Sequence, residues 1–237
     1  MKKICFALLA IILSLLIIPL SVLEARAVDT GFPSTEPISD EQKATVTENM
    51  NITLLTEEPK HRPIECFDVR EDGRIAIGTS GFFKHAIYVY DSGEFLYGYS
   101  FKGAGDFGIE WNGDCINIYS VRSDLLKTVS PQGEVVEILE IPNTYDNDRY
   151  RRYICNSKER HIGSNKYLST NTWGIFNFLL LLFPDAQLVV IDENGSSSVL
   201  YDATSSHRIL VISLFSFVTL VAIGASIGVI KACREYF

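Results

Sequence analysis

Two long apolar runs, residues 4–23 and 209–230, bracket a chain whose interior is patterned on a much shorter period. Over residues 65–202 the hydrophobic positions alternate in short runs cut by glycine. Ile75 and Ile77 share one face, as do Ile87 with Val89 and Ile116 with Ile118. A period of two with glycine punctuation signals half-buried strands joined by turns. No stretch here carries a 3.6-residue period over three turns, so the pattern predicts an all-β domain. Residues 28–63 show neither pattern. They hold Pro33, Pro37, Pro59 and Pro63 among Ser, Thr and Glu, and read as an acidic, flexible stalk with a short strand near residues 52–55.

The alternation is itself repeated. Asp72-Gly73-Arg74-Ile75-Ala76-Ile77 returns as Asn112-Gly113-Asp114-Cys115-Ile116-Asn117-Ile118, and Gly73 and Gly113 are 40 residues apart. Asp91-Ser92-Gly93-Glu94-Phe95 returns as Pro131-Gln132-Gly133-Glu134-Val135 at the same interval of 40. That interval matches a four-stranded propeller blade, about 40 residues. A third, degenerate copy runs through His161-Ile162-Gly163 and on to Asp192-Glu193-Asn194-Gly195. From Gly133 to Gly195 is 62 residues, so about 22 are inserted there.

On these residues the chain resembles the NHL-like and related six-bladed β-propeller repeats, whose inner hairpins read strand, Asp-x-x-Gly, polar residue, strand. Asp192-Glu193-Asn194-Gly195 fits outright. Asp91-Ser92-Gly93 is one residue shorter and Ser130-Pro131-Gln132-Gly133 lacks the Asp, so the likeness is to a repeat type. It covers residues 65–202 and implies about three propeller-like four-stranded blades with a binding or scaffolding role. It carries over no ligand and no catalytic residue. Closed propellers take about four to eight blades. Three therefore predict a ring completed by a second chain or an open arrangement with covered edges; a sandwich with a misleading repeat is the third alternative.

The apolar ends set the expected surroundings. Lys2 and Lys3, the apolar run, and Ala25 and Ala27 before Val28 form a secretory signal pattern, and the run is also long enough to remain as an anchor helix. Residues 209–230 carry no charge and reach across a hydrocarbon core of about 30 Å, predicting a transmembrane helix. The expected layout is a signal peptide or signal anchor at 1–27, a stalk at 28–63, an extracytoplasmic domain at 64–207, a span at 208–231 and a short cytoplasmic tail at 232–237. Gly224 and Gly228 form a Gly-x-x-x-Gly step that permits close helix approach.

Charge narrows the partners. The whole chain has 21 Lys and Arg against 29 Asp and Glu, and the segment between the apolar ends is more acidic still, which argues against nucleic acid. The expected partners are the lipid bilayer and a protein, either another chain or a second copy. One basic island, Arg149, Arg151, Arg152, Lys158 and Arg160 with Tyr150 and Tyr153 among them, reads as a charged strand edge or as a face for an anionic polymer or headgroup. Trp173, Phe176, Phe178 and Leu180 lie in an apolar stretch too short to span a bilayer. It reads as a core element or as an exposed contact for membrane or partner.

Catalytic and cofactor signals are weak. Gly103-Ala104-Gly105-Asp106-Phe107-Gly108 matches a dinucleotide fingerprint in letters, but no helix pattern follows it, so these glycines read as a loop between blades. Cys66, Cys115 and Cys155 lack metal-ligand spacing; they allow at most one disulfide, or read as three small buried hydrophobes on strands. The expectation is a membrane-tethered binding module with no cofactor, no metal and no assigned catalytic residue. A propeller-type surface hydrolase or lyase and an accessory subunit of a membrane complex are the alternatives.

Overall fold

Each turn glycine of the repeat closes a hairpin in the structure, a computed structural model that describes residues 29–81, 84–172 and 184–236. In chain order the elements are β1 (Glu36–Pro37), α1 (Asp40–Met50), β2 (Thr53–Leu55), β3 (Ile64–Val69), β4 (Ile75–Ser80), β5 (Lys84–Asp91) and β6 (Glu94–Lys102). There follow β7 (Phe107–Asn112), β8 (Cys115–Ser120), β9 (Leu125–Val129), β10 (Val135–Glu140) and α2 (Tyr145–Asn156). The last are β11 (Glu159–Ile162), β12 (Asn165–Thr170), β13 (Gln187–Ile191), β14 (Ser197–Asp202) and α3 (Thr204–Tyr236).

The strands form three antiparallel sheets, each built on a four-stranded meander: β3 to β6, β7 to β10, and β11 to β14. Gly73, Gly113 and Gly163 turn the first hairpin of each meander, and Gly93, Gly133 and Gly195 the last, all at positive φ. That region is open to glycine without steric cost, so the 40-residue spacing of these residues is a spacing of turns. The longer third copy is explained by two additions. Ten of the extra residues accompany α2, since Gly113 to Gly163 is 50 residues, and the rest fall between β12 and β13.

Two expectations need correction. The domain is mostly β rather than all-β, because α2 occupies the place expected for a charged strand edge. Thr144 caps it by accepting from the Asn147 N–H. Its inward stripe is Asn147, Tyr150 and Ile154, too thin and too polar to register as a hydrophobic period. The supposed stalk is also packed. β1 pairs with β10 through Glu36↔Glu140 and Pro37↔Leu139, β2 pairs with β6, and Phe32 and Met50 are buried. A capping box between Ser39 and Gln42 starts α1 within sequence that reads as coil by composition.

The first sheet is the middle layer. One of its faces packs Cys66, Ile87 and Val89 against Phe107, Ile109 and Ile116 of the second sheet. The other packs Phe67, Ile77 and Tyr90 against Tyr167, Leu188 and Tyr201 of the third. The far side of the second sheet is closed by Phe32 and by Ile154 of α2. Inner strands β3 and β7 lie side by side, tied where the Phe107 N–H reaches Glu65 Oε1 and the Trp111 N–H reaches Asp68 Oδ2, at 3.4 and 2.8 Å.

This registration sorts the molecule into two ends. All six glycine turns lie at one end, because every meander starts from the other. α3 leaves from that other end, one residue after β14, and its first two turns belong to the sheet body. Ser206 Oγ donates to the His61 carbonyl at 2.7 Å, and His207 and Val211 are buried. From Ile212 to Ile223 the large apolar side chains are exposed, and this is the helix among the described residues that is long and apolar enough to cross a membrane.

Candidate functional site

At the glycine-turn end, the ends of β3 and β7 frame a groove of about 640 Å³ lined by Asp29, Asp68, Arg70, Asp72, Trp111 and Asp114. A neighbouring cavity of about 270 Å³ shares Asp29, Asp68 and Trp111 and adds Glu110, Tyr150 and Tyr153. Arg70 donates to Asp72, to Asp114 at 2.6 Å and to the Gly113 carbonyl at 3.1 Å, and its guanidinium lies 5.2 Å from the Trp111 ring centre. Bonding to Arg70 holds the Asp72 carboxyl well below the usual range.

Beneath this surface the charges are buried. Asp68 accepts from Arg160 Nε at 3.1 Å, and Arg160, only 3% exposed, lies 4.3 Å from the Tyr153 ring centre. Burial pushes the Asp68 carboxyl upward, with Trp111 and Arg160 opposing. Glu110 accepts from Thr30, from Tyr150, from the Gly31 N–H at 3.3 Å and from Asn117 Nδ2 at 2.9 Å, which fastens residues 29–31 across the second sheet. Carboxylates beside an aromatic face that already carries a guanidinium suit a cationic group.

The end from which α3 leaves is built differently. Glu65, at the start of β3, accepts from Ser80 Oγ and from the Phe107 N–H, and burial pushes its carboxyl up to about 7, with Asp106 adding to the rise. Ser80 Oγ is also 2.8 Å from His85 Nδ1, and burial lowers the His85 imidazole. This hydroxyl–imidazole pair was not visible in the sequence. With His85 buried and Ser80 bonded to Glu65, the trio links three adjacent strands, β3, β4 and β5. Burial pushes the Cys155 thiol up to about 12 and Cys66 well above its ordinary value, which keeps both thiols protonated.

The residues singled out from sequence do not converge on either end. Arg149 is exposed beside Asp146 at 3.8 Å, Arg151 pairs with Asp148 and with Asp124 at 3.4 Å, and Arg152 Nε reaches the Asp148 carbonyl. The basic island is therefore split: its three arginines on α2 are partly neutralised by nearby carboxylates, while Lys158 pairs with Asp185 at 3.0 Å and Arg160 is buried on β11 against Asp68. Trp173, Phe176, Phe178 and Leu180 lie outside the described residues. Gly224 lies in α3 with open space around it, and Gly228 follows in the same helix. Cys66, Cys115 and Cys155 form no disulfide, and Cys155 lies on a helix rather than a strand.

The residues that sequence reasoning missed are Asp68, Arg70, Glu110, Trp111 and Lys127. The repeat offered one signal, since Arg70 and Glu110 stand 40 residues apart at the same place before their turn glycines. Among the described residues no cluster of three or more His, Cys, Asp or Glu is arranged to hold a metal ion. No protein-family model matches the chain, and no curated protein matches it in sequence.

Proposed function

We propose that the chain is a membrane-tethered, extracytoplasmic binding or scaffolding module that presents its glycine-turn end to a ligand or protein partner. The observation that carries this reading is the seating of α3. Its first two turns are bonded into the sheet body at His61 and buried at His207 and Val211, so the body has a fixed relation to the helix that leaves it. With α3 in a bilayer, the opposite end points into solvent, and the carboxylate groove over Trp111 becomes the accessible recognition surface.

The signal pattern before Val28 supports export of the sheets. A propeller-like origin is supported by the meanders and by the side-by-side inner strands β3 and β7. In this reading α2 lies across those strands where further blades would stand, and it needs no second chain to shield them.

The test is made on the full chain in cells. Alkaline carbonate is expected to leave the protein in the membrane pellet, and a protease added outside is expected to cut a recognition sequence placed in the turn at Glu193 and Asn194. Release by carbonate would remove the tether; cutting only after lysis would reverse the orientation.

A further inference from the structure

The structure assigns a phosphate-binding site to the cleft between the first and second sheets, at the end from which α3 leaves. This cleft, about 340 Å³, is walled by the loop joining β6 to β7 and by the β8–β9 turn. Lys127 on β9 lines it while only 8% exposed. Its ammonium donates to Ser120 Oγ at 2.6 Å, and among the described residues no carboxylate forms an ion pair with it.

A buried ammonium answered by one hydroxyl is costly, and an anion in the cleft removes that cost. Burial lowers the Lys127 amine to about 8, the response of a cation without a partner. A second cation stands at the mouth. Arg122 lines the same cleft, is exposed, and among the described residues forms no ion pair.

The rest of the wall suits a tetrahedral oxyanion. Ser120 and Ser123 bring hydroxyls, and Gly105, at φ 84°, lets the loop pass close to Arg122. His85 lines the cleft, its imidazole lowered by burial and by Lys127 and raised by Asp106 and a bond to Gly103. Asp106 is the one carboxylate in the lining, against two cations, and it forms no ion pair with Lys127. The loop is the segment whose letters match a dinucleotide fingerprint. It runs from strand to strand without a helix, so its place here is as one wall of an anion cleft.

The phosphate chemistry rests on Lys127 and Arg122. A lipid headgroup as its source rests in addition on the tethered reading, because the apolar run of α3 begins only seven residues after Asp202. The experiment uses the full chain in neutral detergent at pH 7, titrated with inorganic phosphate against sodium chloride of equal ionic strength. It then uses phosphatidylcholine nanodiscs with and without phosphatidic acid, with unfolding midpoint as the readout.

Saturating phosphate or phosphatidic acid is expected to raise the midpoint by about 2–4 °C, and Lys127→Met and Arg122→Gln should each abolish the rise. Without phosphate, Lys127→Met should be at least as stable as the parent, so loss of the response is not loss of folding. A response to inorganic phosphate alone identifies a free-anion site, and a response confined to phosphatidic acid identifies a headgroup site. No rise with either probe, or a rise that survives both substitutions, overturns the assignment. Carbonate release would sink the tether while leaving the phosphate arm standing.

Discussion

At the glycine-turn end, Arg70 holds Asp72 and Asp114 in the open and rests near Trp111, with its counter-charges beside it. At the opposite end, Lys127 is buried with a hydroxyl for a partner, and Glu65 is buried deeply enough to hold its proton near neutral pH. The same meanders supply both ends. The difference is in solvent: exposed paired charges cost the fold little and leave a surface available for recognition. Buried unpaired charges store a cost that a proton or a bound ion relieves.

The largest test of this contrast lies at the floor of the groove, where the buried Arg160 and the mostly buried Asp68 join the third sheet to the first. Arg160→Met strands a buried carboxylate and is expected to cost about 3–5 kcal/mol in urea unfolding. A cost near that of an exposed pair would show that the buried layer is as wet as the groove above it.

Next come the two buried groups of the α3 end, which should respond to pH in opposite senses. Glu65 titrates at about 7 in the fold against 4.5 as its ordinary value, so the folded state binds the extra proton between those values. Stability from that proton is full below about 4.5 and is lost as pH rises through 7. Glu65→Gln should therefore gain about 2–3 kcal/mol at pH 8 and almost nothing at pH 4. Lys127 titrates at about 8 against 10.5, so its burial penalty is present at pH 7 and fades as pH rises through 10.5. Lys127→Met should gain a similar amount, about 2 kcal/mol, at pH 7 and lose that advantage near pH 11. Chemical unfolding across this range checks both, and two flat profiles would erase the difference between the ends.

The repeat made the sheets legible, because a glycine at positive φ is fixed by local sterics and shows as a letter at a fixed interval. Gly73, Gly113 and their counterparts thus placed the hairpins and the three meanders. The layer order was not legible. That the third sheet packs on the first depends on Tyr167, Leu188 and Tyr201 meeting Phe67 and Ile77, contacts with no sequence spacing of their own. α2 escaped notice because its buried stripe is polar, and the groove did because its residues come from two strands 40 positions apart. Lys127 was hidden for another reason: a lysine in a strand reads as exposed, and only the neighbouring sheet makes it buried.

A smaller effect is expected where α2 meets the second sheet. A Cβ on Gly108 would sit 2.9 Å from Ile154 Cγ1 and from Cys155 Sγ, too close without a shift of the helix. Gly108→Ala should cost about 1–3 kcal/mol and increase amide exchange in α2 more than in the sheets. Uniform exchange changes would mean that α2 is not a separable cover over the inner strands.

The smallest effect is expected at Asp114, whose side chain is 80% exposed although it bonds Arg70 at 2.6 Å. Asp114→Asn keeps an oxygen for Arg70 to donate to, and Asp72 keeps the guanidinium in place. With water able to replace whatever is lost, the change in unfolding free energy should stay within about 0.5 kcal/mol and shrink further in high salt. Urea midpoints at low salt and at molar sodium chloride measure it directly. A cost above about 1 kcal/mol that persists in salt would mean the groove is shielded as the opposite cleft is. Both ends would then hold their charges away from water, and solvent would no longer distinguish them.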